Sequence, residues 1–126
     1  MAKASALPDD VERFILIHIP SVPYLEAALF FHGGQPASRS AQEVAQALYL
    51  APATAQRLLQ ALCDGGLLAR DGHSYRYAPK PALCRPMDRL AEAYRANLIG
   101  VTQLIHDATH KDARRYPESL KLKRDM

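Results

Sequence analysis

The residue types that carry enzyme chemistry are thinly spread along this chain. His106 and His110 lie four residues apart, a spacing that puts two imidazoles on one helical face, as in many zinc sites. No third ligand lies close by, and histidines near the end of a helix are also favoured by the helix dipole. The sequence has no glycine-rich phosphate loop, no G-x-S-x-G segment and no plausible triad. We therefore predict a protein that is not an enzyme and that binds no metal or cofactor.

A different chemistry, the recognition of bases and phosphates, is suggested by polar residues between positions 39 and 76. If the leucines of a helix over 52–63 face the core, its outer face carries short, amide and guanidinium side chains that suit base edges in a major groove. These base-reading candidates are Thr54, Gln56, Arg57 and Gln60. Phosphate contacts are expected from the start of the preceding helix and from the following hairpin, at Arg39, Ser40, Arg70, His73 and Arg76.

Two short helices are predicted to position the base-reading residues. Ser40 precedes Glu43 by three residues, which is a capping box and starts a helix over 41–48. A tight turn follows, and Pro52 suits the first turn of the second helix. That second helix ends in an Asp-Gly-Gly stop after residue 63.

A β-hairpin is predicted directly after the second helix. Its strands cover 67–70 and 74–78, and Asp71-Gly72 between them is a strong two-residue turn signal. We expect both turn residues to have positive φ, with the hairpin charges on the same side as Arg57. Exposed tyrosines on that side would instead indicate a surface for protein partners.

The order of helix, turn, helix and hairpin resembles bacterial winged helix-turn-helix regulators of the MarR, ArsR and IclR type. The segments that carry the resemblance are AQEVAQAL, LAPATAQRLLQAL, GGLLAR and DGHSYRY. The resemblance implies a mainly α fold with a small β-hairpin wing, a recognition helix in the major groove and a wing near the DNA backbone. It also implies a DNA-binding transcriptional regulator, with double-stranded DNA as partner.

Two further helices are predicted to flank the motif core at 22–80, over 8–19 and 83–110. Such helices exceed what a minimal winged helix needs, and their apolar stripes must be buried somewhere. A two-fold homodimer would bury them and would set two recognition helices about 34 Å apart, one turn of DNA. The predicted interface residues are Met87, Leu90, Tyr94, Leu98, Val101 and Ile105. Packing of both helices against the core of a monomer is the alternative.

Composition fits one domain over 1–110 followed by a charged tail over 111–126. Of the residues, 48% are hydrophobic and 23% charged, a globular balance. The net charge is +3, with five basic and three acidic side chains between residues 36 and 80. This modest excess leaves open a winged helix that binds another protein of the transcription machinery. Two cysteines, no apolar leader and no long apolar run favour a cytoplasmic protein without a membrane partner.

Overall fold

Six helices and a three-stranded sheet form the part of the chain, residues 7–115, that this computed structural model describes, with side chains placed up to residue 109. The helices are α1 (Asp9–His18), α2 (Val22–Gly33), α3 (Ala41–Ala47), α4 (Pro52–Asp64), α5 (Pro81–Ala96) and α6 (Leu98–Arg115). The strands are β1 (Arg39–Ser40), β2 (Leu68–Asp71) and β3 (Ser74–Tyr77). This is the predicted mainly α winged helix-turn-helix with helices added before and after the motif.

The first helix lies within its predicted range, 8–19, and side chains at the starts of the first two helices favour them. Asp9 and Asp10 occupy the first turn of α1, where carboxylates oppose the helix dipole. The Ser21 hydroxyl caps α2 by accepting a 3.3 Å hydrogen bond from the Tyr24 amide. Within residues 7–115 no single helix is long and apolar enough to cross a membrane; α1 and α2 reach that length and composition only together, bent by 111°.

The helix-turn-helix consists of α3, a four-residue connection and α4. Both bonds of the capping box form, because the Glu43 amide donates to the Ser40 hydroxyl and the Ser40 amide donates to the Glu43 carboxylate, at 3.1 and 2.7 Å. The turn contains Tyr49 at a φ of 57°, the one non-glycine residue with positive φ in the described part of the chain. α4 then packs against α3 and α2 through Ala55, Leu59 and Leu62.

The sheet has the order β1-β3-β2 and is antiparallel throughout. The hairpin is present, but its turn is one residue later than predicted. Asp71 pairs with Ser74 in the ladder, so the loop is Gly72-His73, and of the predicted pair only Gly72 has positive φ, at 66°. Glycine in the first loop position is the pattern of a type II′ turn. The strand β1, two residues long, was not predicted from the sequence.

The predicted single helix over 83–110 is two helices that meet at Asn97. The Asn97 backbone, at φ −151° and ψ 66°, ends α5. Its side-chain oxygen accepts a 2.9 Å hydrogen bond from the Gly100 amide and so caps the start of α6. The second helix runs five residues beyond the predicted boundary at 110, and residues 116–126 of the predicted tail lie outside the described part of the chain.

One apolar core contains residues from all six helices. It also contains most of the residues that were predicted to form the dimer interface. Met87, Leu90 and Val101 are fully buried within a single chain, and Ile105 is 2% exposed. Side chains already enclosed by their own chain are not available to a second copy. The assignment of these four residues to a seam between chains is therefore corrected: the break at Asn97 lets both halves of the apolar stripe fold onto the same core.

Candidate nucleic-acid interface

The outer face of α4 carries the predicted base-reading side chains. Burial of one leucine-rich stripe fixes the rotation of the helix, and Gln56, Arg57 and Gln60 are exposed on the other side. Within the described residues Gln56 and Arg57 make no hydrogen bond or ion pair. Gln60 donates from its amide to Asp64 at 3.0 Å, which leaves its carbonyl oxygen as the free acceptor. Thr54 is half-buried, closer to the edge of this face.

The outer face of α4 and the wing open into one shallow groove of about 450 Å³. The helix supplies the polar side chains and the sheet supplies Arg70 and Tyr75. The lining thus combines two guanidinium groups with two amides, the groups that pair with guanine, adenine and phosphate oxygens. The residues that line this groove are Ala53, Gln56, Arg57, Gln60, Arg70 and Tyr75.

Arg70 is held in place by the hairpin itself. Its guanidinium carbon lies 5.6 Å from the centroid of the Tyr75 ring, directly across the ladder. Its Nε donates a 3.2 Å hydrogen bond to the Gly72 carbonyl in the turn. The Tyr75 side chain is 3% exposed and forms a rigid support. The remaining guanidinium N–H groups of Arg70 are therefore presented beside α4 with little conformational freedom.

The predicted wing charges do not all lie on one side. Successive residues of a strand point to opposite faces, and Arg76 follows Tyr75, so Arg76 lies on the face opposite Arg70. Arg76 is exposed and has no partner within residues 7–109. His73, the second loop residue, is exposed at the tip. The expectation that all three residues share the side of Arg57 holds for Arg70 and is wrong for Arg76.

Arg39 and Ser40 are occupied by other contacts. The Arg39 guanidinium lies 5.7 Å from the centroid of the Phe30 ring, on α2, and does not line the groove beside α4. The hydroxyl and amide of Ser40 are both used in the capping box. Because the Glu43 carboxylate sits at that helix start, a phosphate there would meet a negative charge. Arg39 pairs with Tyr75 and so shares the sheet face of Arg70, but neither Arg39 nor Ser40 lines the groove that contains Arg57 and Arg70.

The wing lacks the exposed aromatic side chains expected of a protein-binding surface. Tyr75 is buried and Tyr77 half-buried, and burial with the nearby Asp88 and Cys84 raises the pKa of Tyr77 well above its usual range. In the described part of the chain the side chains of Asp88 and Asp10 contact His32 and Arg89, respectively. Neither Asp64 nor Asp71 neutralises a wing arginine.

Sequence reasoning missed two side-chain clusters outside the motif. His32 and Asp88 join α2 to α5 through a 2.8 Å contact. Arg89 of α5 binds both carboxylate oxygens of Asp10 on α1, one of them at 2.9 Å. Pairs this far apart in sequence leave no local signal. Among the described residues no group of three or more histidine, cysteine, aspartate or glutamate side chains is placed to hold a metal ion, and the His110 side chain lies outside the described set.

Comparisons with known proteins agree with this geometry. Residues 29–72, about a third of the chain, match the family profile of the IclR helix-turn-helix domain. A search of curated protein sequences finds no significant match. The chain is similar in structure to a MarR family protein from Bacillus stearothermophilus, at a TM-score of 0.50 and 21% identity, covering 99% of this chain and 88% of that one. It is also similar to a MarR family protein of Mycobacterium tuberculosis, at a TM-score of 0.49 and 17% identity, covering 98% and 84%. The predicted resemblance to winged helix-turn-helix regulators is confirmed.

Proposed function

We propose that this chain, a winged helix-turn-helix protein with a helix-turn-helix segment of the IclR type, is a homodimeric, DNA-binding transcription regulator that acts in the cytoplasm without enzymatic activity. In this proposal α4 enters the major groove of double-stranded DNA. Arg57 and Gln56 then read base edges, and the Gln60 carbonyl accepts from a base amino group. Arg70 contacts a backbone phosphate beside the recognition helix.

The observation that carries the proposal is the groove shared by α4 and the wing. It brings Arg57 and Arg70, which are thirteen positions apart in sequence, to one surface with the two glutamines. A base-reading helix flanked by a phosphate-binding arginine is the arrangement that positions a protein on a duplex and lets it discriminate sequence. Arg76, exposed on the far face of the wing, and His73 at its tip are assigned to less specific phosphate contacts.

The alternative function, a winged helix that binds another protein, draws less support. Protein interfaces are typically centred on exposed aromatic and arginine side chains. Here Tyr75 is buried, and its ring contacts the Arg70 guanidinium. The surface around Arg57 is polar and cationic, and its only aromatic lining residue is this buried tyrosine.

Selection from a pool of random duplexes tests the DNA proposal. We expect enrichment of a two-fold symmetric sequence, with half-sites about one helical turn apart. Fluorescence anisotropy with the enriched duplex should then give tight binding that weakens steeply with salt. The proposal would be contradicted if no sequence were enriched and if the parent protein and Arg57→Ala bound every duplex with equal affinity.

We place the dimer seam on α1 and α6. The exposed apolar side chains here are Leu16 and Ile17 late in α1 and Leu98 and Ile99 early in α6. The Thr109 hydroxyl donates to the Pro20 carbonyl, so α6 passes the end of α1 at Thr109 and the two helices run side by side. The two apolar pairs thus lie at opposite ends of one helical layer. A two-fold axis between two such layers places the α1 pair of one copy against the α6 pair of the other copy, and the α6 pair of the first against the α1 pair of the second. Of the interface residues predicted from sequence, Leu98 remains in this seam, and Tyr94 lies elsewhere.

A further inference from the structure

We propose that the groove bounded by α2, the turn after α3 and α5 binds a small organic cation, such as a quaternary or primary ammonium compound. This aromatic groove has a volume of about 400 Å³, within the usual range for small-molecule sites. It lies away from the groove beside α4 and shares no lining residue with it. The residues that line it are Glu26, Leu29, Phe30, Ala47, Leu48, Tyr49 and Tyr94. The site stands whether or not α4 binds DNA.

The lining has the composition that recognises ammonium groups. Three of the seven lining residues are aromatic, and their ring faces carry the negative end of the ring quadrupole. Glu26 is the one charged residue among them, and it makes no ion pair within the described part of the chain. Alanine and leucine side chains complete the walls. An apolar wall with several ring faces and a single carboxylate favours a soft cation over an anion or a neutral polar molecule.

Tyr49 supplies the most exposed aromatic ring of the groove. Its side chain is 95% exposed, so it contributes nothing to the core. Its backbone has a φ of 57°, a left-handed conformation that disfavours residues with a β-carbon by roughly 1–2 kcal/mol. Glycine or asparagine would form this turn with less strain. The left-handed backbone belongs to the turn that ends α3, where the Leu50 amide donates a 2.8 Å hydrogen bond to the Ala45 carbonyl. It is therefore the exposed ring beside the groove, and not the backbone conformation, that supports a ligand site.

Tyr94 and Phe30 show that the other rings are suited to the same task. The Tyr94 phenol is half-buried, and its pKa is raised by burial and by the nearby Glu26 carboxylate, so it stays neutral. This places the carboxylate close to a ring that lines the groove. Phe30 already interacts with one cation of the chain, the Arg39 guanidinium at 5.7 Å, which lies outside the groove lining.

An NMR titration with choline chloride tests the site, with sodium chloride as the salt control. We expect choline to shift the resonances of Glu26, Tyr49 and Tyr94. The neutral isostere 3,3-dimethyl-1-butanol, which replaces the ammonium nitrogen by carbon, should bind at least about tenfold more weakly. The groove between α1 and α5, lined by Arg13, Arg85 and Arg89, serves as an internal control that choline should leave unshifted.

Variants separate cation recognition from simple apolar binding. Glu26→Gln keeps the shape of the side chain and should lower choline affinity about three- to tenfold, and Tyr49→Leu should do the same by removing a ring while keeping apolar bulk. Glu92→Gln removes an exposed carboxylate from α5 outside the groove and should change affinity less than about twofold. Equal binding of choline and its isostere, an undiminished affinity in Glu26→Gln, or no shift with choline would each overturn the proposal.

Discussion

Arg70 stacks across the β-ladder on Tyr75, with its guanidinium carbon 5.6 Å from the ring centroid and its Nε bonded to the Gly72 carbonyl. The pair fixes the charged end of the wing against the outer face of α4. A lysine at this position would keep the charge but would lose the planar guanidinium over the Tyr75 ring and the hydrogen bond from Nε to the Gly72 carbonyl. The pair therefore separates two contributions to DNA binding, the number of charges and their placement.

Substitution of Arg70 should reveal both contributions. In Arg70→Ala we expect weaker binding to all duplexes and a log–log salt slope lower by about 1, because one phosphate contact is lost. In Arg70→Lys the slope should remain that of the parent while affinity falls, since the charge is kept and its fixed position is not. Anisotropy titrations across a salt series measure both quantities. Identical affinities for the parent, Arg70→Ala and Arg70→Lys would remove Arg70 from the interface.

Replacement of Arg57 by alanine should act on sequence preference. Loss of a guanidinium that bonds a base edge costs ~1–3 kcal/mol of specific affinity and relaxes preference at one base pair. Competition between the selected duplex and single-base variants measures the change. Arg95→Ala removes an exposed arginine from the last turn of α5 and is the matched control. If both variants bind alike, α4 does not read bases through Arg57.

Much of the helix-turn-helix could be predicted because its determinants are local. The capping box at Ser40 and Glu43 and the leucine spacing of α4 each act within one or two turns of chain. Asn97 was missed for the opposite reason: the apolar stripe continues through it at regular steps, and periodicity records which face is buried rather than where the axis bends. The asparagine itself, a residue preferred at helix N-caps, was the available signal.

The candidate interface was only partly predictable. Which residues lie outward on α4 follows from its periodicity, so Gln56 and Arg57 were found correctly on the exposed face. Arg76 lies opposite Arg70 whether the two-residue loop is Asp71-Gly72 or Gly72-His73, so strand alternation alone already separates these two side chains. Which face of the hairpin meets α4 depends on the packing of the sheet against that helix, and this required the tertiary structure.

Assembly through α1 and α6 can be tested by introducing one charge into the proposed seam and then a second charge of opposite sign. Leu98 is half-exposed in the single chain, so Leu98→Asp should leave the fold intact while placing an unpaired charge in the proposed seam. Sedimentation should then show monomers. Adding Leu16→Lys to the same chain should restore dimers, because two-fold symmetry brings position 16 of one copy to position 98 of the other.

Two control variants complete this experiment. Gln46→Asp, on the exposed face of α3, should leave the dimer unchanged. Leu90→Ala should lower the free energy of unfolding by ~2–5 kcal/mol, because Leu90 is fully buried in the core of one chain. A parent protein that sediments as a monomer at high concentration would refute the proposed seam.

Asn97→Ala should destabilise the C-terminal pair of helices. The variant loses the side-chain acceptor for the Gly100 amide, and loss of such a cap costs ~0.5–2 kcal/mol. Urea denaturation followed by circular dichroism measures this. Asn97→Asp retains an acceptor at the same position and should recover most of the loss. Equal stability of all three proteins would show that the cap does not stabilise the break.

The ion pair between Asp10 and Arg89 predicts a stability difference that depends on pH. The hydrogen bonds from Arg89, and secondarily its charge, hold the Asp10 pKa below its ordinary value of 3.8. A depressed pKa in the folded state stabilises the fold above the unfolded value, and this stabilisation is lost as pH falls through the folded value. Asp10→Asn should therefore be less stable than the parent near neutral pH, and the two should converge below pH 3.8.

Thermal or chemical denaturation from neutral to acid pH measures this convergence. Asp9→Asn removes the neighbouring carboxylate from the same helical turn without touching Arg89, so it is the matched control. The pair is exposed to solvent, and added salt should shrink the difference. If the stability difference between the parent and Asp10→Asn stayed constant down to acid pH, the ion pair would be excluded as the cause of that difference.

Because Asn97 turns α6 back onto the core, each chain completes its apolar interior before it meets a second copy. An obligate dimer leaves part of its core to the partner, and its monomers unfold on dissociation. Here Val101 and Ile105 are enclosed by their own chain, so we expect separated copies of the proposed dimer to remain folded. In the proposed dimer, synthesis and dilution can thus change the fraction of dimer without unfolding either chain. Occupancy of a symmetric DNA site would then rise with the square of the free monomer concentration while that concentration lies below the dimer dissociation constant.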